Sequence, residues 1–333
     1  MKKLVVMVLI VAMLLSVAAL ADTRTEELGI PTYVTLKESD ALKDKRLGCS
    51  IVYKGDVWCS ELAKALEVIG EYYGAKITCE DGDLNPETQT KQVENMLSNG
   101  VDMIMIDPAT PEGVTGALTT AYEQGIPIII YDSNWEDAEE KALTFVSWGQ
   151  PETGYITGEY FLNYIREHNG GKASIIELEN VASPHCHERF VGLHEVFDAA
   201  DDCEITIVNH SDNQGNREVA EKAVTAVVQD YDYIISDVDN GAQGALAALQ
   251  QIGDTETGIF CMGVYGEEVF TELYNKDPNY IAGLNVDPWV IAQFVYQAAV
   301  DYFEGNAANV EKQTNIDLLM VDSSNVTEFW HFD

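Results

Sequence analysis

The sequence predicts an α/β fold of two Rossmann-like, doubly wound parallel-sheet lobes, and three observations lead to this prediction. From Leu47 onward, short apolar runs alternate with amphipathic segments that tend to end at glycine. The apolar runs show little in–out alternation, as expected for parallel strands covered on both faces. The alternation restarts after Gln150, and the 333-residue chain exceeds the roughly 250–300 residues at which one hydrophobic core stops growing. Strand–helix alternation of this kind indicates doubly wound sheets.

The first half of the chain contributes strands separated by amphipathic helices. The predicted strands cover 47–52, 77–79, 103–106 and 126–131. The predicted helices lie near 62–73, 86–98 and 113–124. Gly74, Gly100 and Gly125 follow these helices, and glycine is favoured there because it adopts a left-handed backbone without steric cost.

The second half repeats the pattern. Helices are predicted at 153–168, 187–199, 216–229, 242–252, 267–276 and 289–303. Strands are predicted at 174–178, 205–208, 233–236, 259–262, 281–286 and 316–320. The repeat of one pattern along the chain favours two lobes of similar architecture.

The N-terminus has the pattern of a secretory signal. Lys2 and Lys3 precede an unbroken apolar run from Leu4 to Leu15, and Ala19-Leu-Ala21 is a small-x-small cleavage site. The pattern predicts a signal peptide over 1–21 and a periplasmic or otherwise extracytoplasmic protein. The polar stretch 22–45 lacks periodicity and is predicted to be a leader linker.

Charge and cysteine spacing exclude several classes of partner and site. With 19 basic and 56 acidic side chains the net charge is −37, which repels nucleic acid and anionic lipid. None of the six cysteines forms a CxxC pair, which argues against zinc-ribbon and thioredoxin-type sites. Cys49, Cys79 and Cys261 fall in apolar strand-like runs and are interpreted as core residues. Sequence alone does not define a disulfide pairing.

Motifs for catalysis or metal binding are weak. The run Pro184-His-Cys-His-Glu188 is too tightly spaced for one zinc ion. The calcium-like stretch Asp81–Glu87 has Pro86 where glycine is required. The chain contains no Gly-x-Ser-x-Gly elbow, HExxH or P-loop. We therefore predict no metal, no cofactor and no catalytic residue, and the alternative of a glycoside-active enzyme is weaker.

Acidic and aromatic residues follow one predicted strand after another. Asp56 with Trp58, Asp107 and Asp132 follow strands of the first half. Ligands of open parallel sheets bind outside the carboxyl ends of the strands. Carboxylates there accept hydrogen bonds from hydroxyls, and aromatic rings cover apolar sugar faces. A single Asp at such a position also serves as a helix cap, but the recurrence favours a small polar ligand.

Several motifs together resemble the type I periplasmic binding proteins of the ribose/galactose-binding group, the substrate-binding proteins of sugar ABC transporters. The resemblance runs from about Leu47 to Met320. The motifs include Gly100-Val-Asp-Met-Ile-Met-Ile-Asp-Pro108, Gly125-Ile-Pro-Ile-Ile-Ile-Tyr-Asp132, Glu188-Arg189 before Gly192, and Gly241-Ala-Gln-Gly-Ala-Leu246.

The resemblance implies two lobes joined by three hinge crossings, with the ligand held between them. The crossings are expected near 147–150, 286–288 and 317–318. The predicted N-terminal lobe comprises 46–148 plus 287–317. The predicted C-terminal lobe comprises 149–286 plus 318–333.

The resemblance also implies a set of ligand-binding residues. They are Asp56, Trp58, Asp107, Asp132, Trp148, His187, Arg189, Gln214 and Tyr265, and Asp239 and Asp287 join them under a second alignment. The chain departs from the family pattern at some of these places. His187 replaces a usual Arg, and Val238 and Val286 stand where the family shows Asn and Gln. A shift of one or two residues would instead bring Asp239 and Asp287 into the pocket, and the sequence leaves both alignments open.

The function implied by the resemblance is solute binding for an ABC transporter. We expect a monomer that closes around a small sugar or polyol and presents it to membrane permease subunits. An amine or nucleoside-like solute is the alternative ligand class. A role as the ligand-binding protein of a chemoreceptor or sensor is the alternative to transport.

Overall fold

The computed structural model describes residues 24–55, 57–133, 138 and 140–330. The predicted signal peptide, 1–21, lies outside these residues. The chain divides into two compact units. Unit 1 contains the residues up to Ser147 together with Pro288–Ile316, and unit 2 contains Trp148–Asp287 together with the residues from Asp317. The chain therefore crosses between the units three times.

Unit 1 is a six-stranded sheet with helices. With elements labelled in chain order across both units, its strands are β1 (Arg46–Ile51), β2 (Lys76–Asp81), β3 (Met103–Ile106), β4 (Ile128–Tyr131), β5 (Thr144–Ser147) and β11 (Gln313–Asn315). Its α-helices are α1 (Val57–Tyr72), α2 (Pro86–Ser98), α3 (Pro111–Glu123) and α9 (Pro288–Phe303).

The sheet of unit 1 is parallel, with strand order β11-β5-β4-β3-β1-β2. The strand order reverses between β1 and β3, which is the topological switch point of a doubly wound sheet. All four residues of β3 and of β4 are buried, so these strands read as continuous apolar runs. Side chains of α2 and α3 pack on one face of this sheet and form a core with the β3 and β4 isoleucines.

Unit 2 repeats the architecture. Its strands are β6 (Lys172–Glu179), β7 (Glu204–Asp212), β8 (Tyr233–Ser236), β9 (Gly258–Val264), β10 (Tyr280–Asn285) and β12 (Met320–Asp322). Its α-helices are α4 (Gln150–His168), α5 (Pro184–Ala199), α6 (Arg217–Thr225), α7 (Asp239–Ile252), α8 (Glu267–Asn275) and α10 (Val326–Phe329). The strand order is β12-β10-β9-β8-β6-β7. Strand β12 pairs antiparallel with β10, and the other neighbouring strands pair parallel.

The predicted fold class, two doubly wound lobes with mainly parallel sheets, is confirmed. The predicted strand 316–320 is wrong, because two short strands, β11 and β12, flank residues 316–319. Each pairs with a different unit: β11 with β5 and β12 with β10. The sequence prediction also missed β5, a run of four residues. The predicted helix 216–229 ends earlier, at Thr225.

The N-terminal segment from residue 24, within the predicted leader linker, packs on unit 1. Ile30, Val34 and Leu42 are buried. The Lys37 ammonium lies 2.9 Å from the Asp301 carboxylate in α9, and the Tyr73 hydroxyl donates to the Lys37 carbonyl oxygen at 2.9 Å. These contacts fix the segment to the ends of α1 and α9. Among the described helices, none is long and apolar enough to cross a membrane.

Two glycines let α4 and α5 approach each other closely. A Cβ atom added at Gly154 would meet the Arg189 carbonyl oxygen and would lie 2.6 Å from the Leu193 nitrogen. A Cβ atom at Gly192 would meet the Pro151 carbonyl oxygen. The two helix backbones are therefore in contact, and this contact sets the position of Arg189.

We predict that Gly154→Ala lowers the free energy of unfolding by about 1–3 kcal/mol, because the added methyl group overpacks a backbone contact. Gly116→Ala is the matched control, since an added Cβ there has nothing within 4 Å. The control should raise the free energy of unfolding by up to about 1 kcal/mol, the difference in helix propensity. Urea denaturation of the two variants measures both effects, and equal stability of the two would contradict the assigned contact.

Candidate functional site

In unit 1, three of the predicted ligand residues lie along the carboxyl edge of the sheet. Trp58 is in the first turn of α1, the helix that follows β1, while Asp107 follows β3 and Asp132 follows β4. The strands β4, β3 and β1 are consecutive in the sheet, so Trp58 and Asp107 follow the two strands of the topological switch point and Asp132 follows the next strand. Asp56 lies outside the described residues.

Buried glutamines hold the backbone at Asp107. The Gln89 side-chain amide donates to the Asp107 carbonyl oxygen at 2.7 Å and to the Ser50 hydroxyl at 3.1 Å, while its oxygen accepts from the Ala109 amide at 2.7 Å. The Ser50 hydroxyl in turn donates to the Gln92 side-chain oxygen at 2.7 Å. Gln89 is fully buried. The network links α2 to the ends of β1 and β3, and Gln89 was missed by the sequence prediction.

Asp132 occupies a special backbone conformation at the end of β4. Its φ is 54°, in the left-handed region that Asp tolerates better than most residues. Its amide donates to the Val146 carbonyl oxygen at 2.9 Å, which extends the pairing of β4 with β5. The neighbouring Tyr131 is fully buried and donates its hydroxyl to the Ser50 carbonyl oxygen at 3.0 Å. Asp132 is therefore fixed by its backbone while its side chain is half-buried.

In unit 2, Arg189 and Asp237 join the ends of several elements. The buried Arg189 guanidinium donates to the Gln150 side-chain oxygen and to the Asp237 carbonyl oxygen, each at 2.8 Å. The Asp237 carboxylate accepts from the Asn213 side-chain amide at 2.7 Å and from the Asn180 backbone amide at 2.5 Å. Burial raises the pKa of Asp237. Asp237 therefore ties the ends of β6, β7 and β8 together.

Three other predicted residues of unit 2 lie on neighbouring strand ends. Asp239 begins α7 after β8, Tyr265 follows β9 and Asp287 follows β10. The order β10-β9-β8 makes these ends adjacent. Gln214 differs, because it is exposed and follows the outer strand β7. Trp148, the first residue of unit 2, is buried and directly follows β5.

His187 takes part in an ion-pair cluster. Its ring nitrogen Nδ1 lies 3.0 Å from the Glu179 carboxylate. The rest of the cluster is Glu177, His194 and His210, with His194 and His210 lying 2.7 and 2.8 Å from the Glu177 carboxylate. His210 also lies 2.8 Å from Glu179 through its second nitrogen. His187 is thus engaged by its own unit, which the sequence prediction did not foresee.

The geometry of the cluster assigns a charge to His210. A neutral imidazole carries one N–H, whereas each nitrogen of His210 faces a carboxylate oxygen. Only the imidazolium donates from both nitrogens. Within the described ranges, no group of three or more His, Cys, Asp or Glu side chains is arranged to hold a metal.

The pKa shifts in the cluster agree with this assignment. Hydrogen bonding to Glu177 raises the pKa of His194 and of His210. Burial raises the pKa of Glu177, but hydrogen bonds from the two histidines outweigh it, and the net pKa lies below 4.5. The histidine contribution to stability is complete below pH 6.5 and is lost as pH rises through the higher folded pKa values. The Glu177 contribution is complete above pH 4.5 and is lost as pH falls through its lower folded pKa.

We predict that the free energy of unfolding falls as pH rises from 6 to 9, and that His210→Asn removes roughly 1 kcal/mol of this fall. The figure lies below the roughly 1.5–3 kcal/mol typical of hydrogen bonds to charged groups, because the His210 side chain is 38% exposed and solvent screens the interaction. Urea denaturation across this pH range measures it. His168→Asn is the control, since His168 contacts the Tyr164 carbonyl oxygen outside the cluster. The assignment is wrong if His210→Asn retains the full pH dependence.

Known proteins share this architecture. The ribose import binding protein of Bacillus subtilis (strain 168) is 23% identical over 277 residues, which are 83% of this chain and 87% of that protein. A solute-binding protein from Bacillus halodurans C-125 with bound myo-inositol has a TM-score of 0.75 at 18% identity, covering 86% of this chain and 98% of that one. The binding protein of the arabinose ABC transporter from Shewanella sp. ANA-3, bound to L-arabinofuranose, has a TM-score of 0.76 at 20% identity, covering 86% and 94%. These structural likenesses establish the fold.

The sequence profile of one family extends over most of the chain. This profile describes the periplasmic binding protein domain and matches residues 47–307. The match spans both units, since it begins at β1 of unit 1, continues through residues 148–287 of unit 2 and ends after α9 of unit 1. Since it covers well over half of the sequence, the chain belongs to the periplasmic binding protein domain family.

Proposed function

We propose that this chain is an extracytoplasmic solute-binding protein of an ABC transporter, with a small sugar or polyol as its ligand. One observation carries the proposal: Asp107 and Asp132 lie on neighbouring strand ends beside the switch point of unit 1. Carboxylates at fixed positions accept hydrogen bonds from adjacent hydroxyls. Family membership and the sugar- or polyol-bound structures of similar fold support the same ligand class.

The proposed mechanism is closure of two half-sites around the ligand. Unit 1 contributes Trp58, Asp107 and Asp132, and unit 2 contributes Arg189 and the residues at the ends of β8, β9 and β10. A ligand that contacts both half-sites favours the closed arrangement, because only there are all contacts made at once. The three chain crossings are the proposed hinges. The closed form is what a permease would recognise.

Five of the predicted residues have a defined role in this proposal. Asp107 and Asp132 accept hydrogen bonds from hydroxyls, and Arg189 donates to a ligand oxygen through a guanidinium N–H other than the two that donate to Gln150 and Asp237. Trp58 and Tyr265 cover the apolar face of a ring. These roles stay predictions. We infer that Val238 and Val286 remove hydroxyl contacts worth about 1 kcal/mol each, so the preferred ligand differs from ribose.

A ligand that carries an amine is a second candidate, and the number of carboxylates at the strand ends supports it. His187 pairs with Glu179, and Arg189 donates to Gln150 and Asp237. The strand ends also carry Asp107, Asp132, Asp239 and Asp287. Such an excess of carboxylates attracts a cationic group, which aromatic faces also bind.

We propose that the protein acts outside the cytoplasm, delivered by the predicted signal peptide, and that it catalyses no reaction. Its partners in this proposal are the ligand and the membrane permease subunits. The net charge of −37 favours the solubility of a protein that delivers its ligand to these subunits, and it disfavours binding to nucleic acid.

A thermal-shift screen against sugars, polyols, amines and nucleosides tests the proposal. A bound ligand raises the melting temperature by mass action, and an excess of 100 Kd adds about 2.7 kcal/mol to stability. We expect a shift with a sugar or polyol. A shift with amines alone would favour the second candidate, and turnover of any ligand would contradict a binding function.

Asp132→Ala should abolish the ligand-induced shift while leaving the melting temperature of the free protein nearly unchanged. The removed carboxylate supplies charge-assisted hydrogen bonds to the ligand. Asp230→Ala is the matched control, because Asp230 is exposed in the loop before β8, at the amino end of a strand of unit 2. Calorimetric titration measures the affinities, and unchanged affinity in Asp132→Ala would overturn the assignment.

A further inference from the structure

Two cysteines face each other across neighbouring strands of unit 1. Cys49 in β1 is the direct register partner of Cys79 in β2. Neighbouring strands lie about 4.8 Å apart, within the roughly 4.4–6.8 Å between Cα atoms that a disulfide spans. Directly opposite residues of a parallel pair point to the same face of the sheet. The backbone register therefore places the two side chains within bonding reach.

The distance between the two sulfur atoms is shorter than the usual distance between unbonded thiols. The Cys49 and Cys79 Sγ atoms lie 2.7 Å apart, whereas unbonded heavy atoms rest at about 3.5–4 Å. A disulfide bond measures about 2.05 Å. A shift of a few tenths of an ångström in each side chain completes the bond. The two thiols are free in this structure.

The pair is shielded from solvent. Cys49 and Cys79 are buried, with exposed fractions of 0% and 3%, and the Tyr131 hydroxyl lies 3.5 Å from the Cys49 sulfur. Burial raises the pKa of the Cys79 thiol well above its usual value, so the folded pair holds little of the reactive thiolate. Because β2 is the edge strand of the sheet, the pair becomes reactive during folding or when this strand opens.

We propose that Cys49 and Cys79 form a disulfide that fastens the edge strand β2 to β1 when the chain folds in an oxidising environment. The oxidant is a disulfide of a small thiol or of an exchange protein. One cysteine thiolate attacks this disulfide and releases the first thiol; the second cysteine thiolate then displaces the remaining thiol. The two cysteines lose two protons and two electrons, and the oxidant is reduced to two thiols.

The bond would close a loop that contains α1. The two cysteines are 30 positions apart in the chain, and closing such a loop restricts the unfolded state. The loop also contains Trp58 at the start of α1, so the disulfide would restrict the segment that leads into the candidate site. The inference is independent of the ligand, since it depends on the β1–β2 register alone.

Thiol counting by mass spectrometry tests the proposal. The full chain is refolded in a buffer of reduced and oxidised glutathione, denatured in acid and alkylated. We expect four of the six cysteines to be alkylated, and a peptide map to link Cys49 with Cys79. Alkylation of all six, a linkage between other cysteines, or glutathione attached to Cys49 or Cys79 would overturn the proposal.

Serine variants supply the matched controls. In Cys79→Ser all five remaining cysteines should be alkylated. In Cys59→Ser three cysteines should be alkylated, because the disulfide should still protect Cys49 and Cys79 from alkylation. Reduction of the oxidised wild type should lower its Tm by roughly 6–12 °C, and the same reductant should leave the Tm of Cys79→Ser unchanged. An identical Tm for the oxidised and the reduced wild type would contradict the proposal that the disulfide stabilises β2 against β1.

Discussion

The order of the strands in each sheet is the constraint on which the rest of the structure depends. In unit 1 the order reverses between β1 and β3, and in unit 2 it reverses between β6 and β8. At such a reversal the connections leave in opposite directions and open a crevice at the carboxyl ends of the strands. Side chains that follow these strands are thereby gathered at one edge, whatever their separation in the sequence.

Buried polar networks hold those strand ends in both units. In unit 1, Gln89 connects α2 to the backbone at Asp107, and in unit 2 the Asp237 carboxylate accepts from Asn180 and Asn213. Buried polar groups are costly unless their hydrogen bonds are satisfied. Satisfied networks of this kind fix the backbone at the strand ends. Asp237 is part of such a network, whereas the proposed role of Asp107 and Asp132 is ligand binding.

The sequence was sufficient for the two-lobed fold, since the helices have a local period of about 3.6 residues and the buried parallel strands are continuous apolar runs. It was insufficient for β5, β11 and β12, because each of these strands contains at most two consecutive apolar residues, unlike the equally short β3 and β4. The positions of Asp107 and Asp132 at strand ends followed from the strand predictions. The pairing of His187 with Glu179 did not, because it depends on which helix packs over which strand. The register that places Cys49 opposite Cys79 is likewise a property of the sheet.

The central claim is that one ligand is held by both units at once, and small-angle X-ray scattering tests it most directly. The full chain is measured alone and with a saturating amount of a ligand that stabilises it. We expect the radius of gyration to fall on saturation, because contacts from both half-sites favour the closed arrangement. An unchanged scattering curve at full occupancy would contradict the claim.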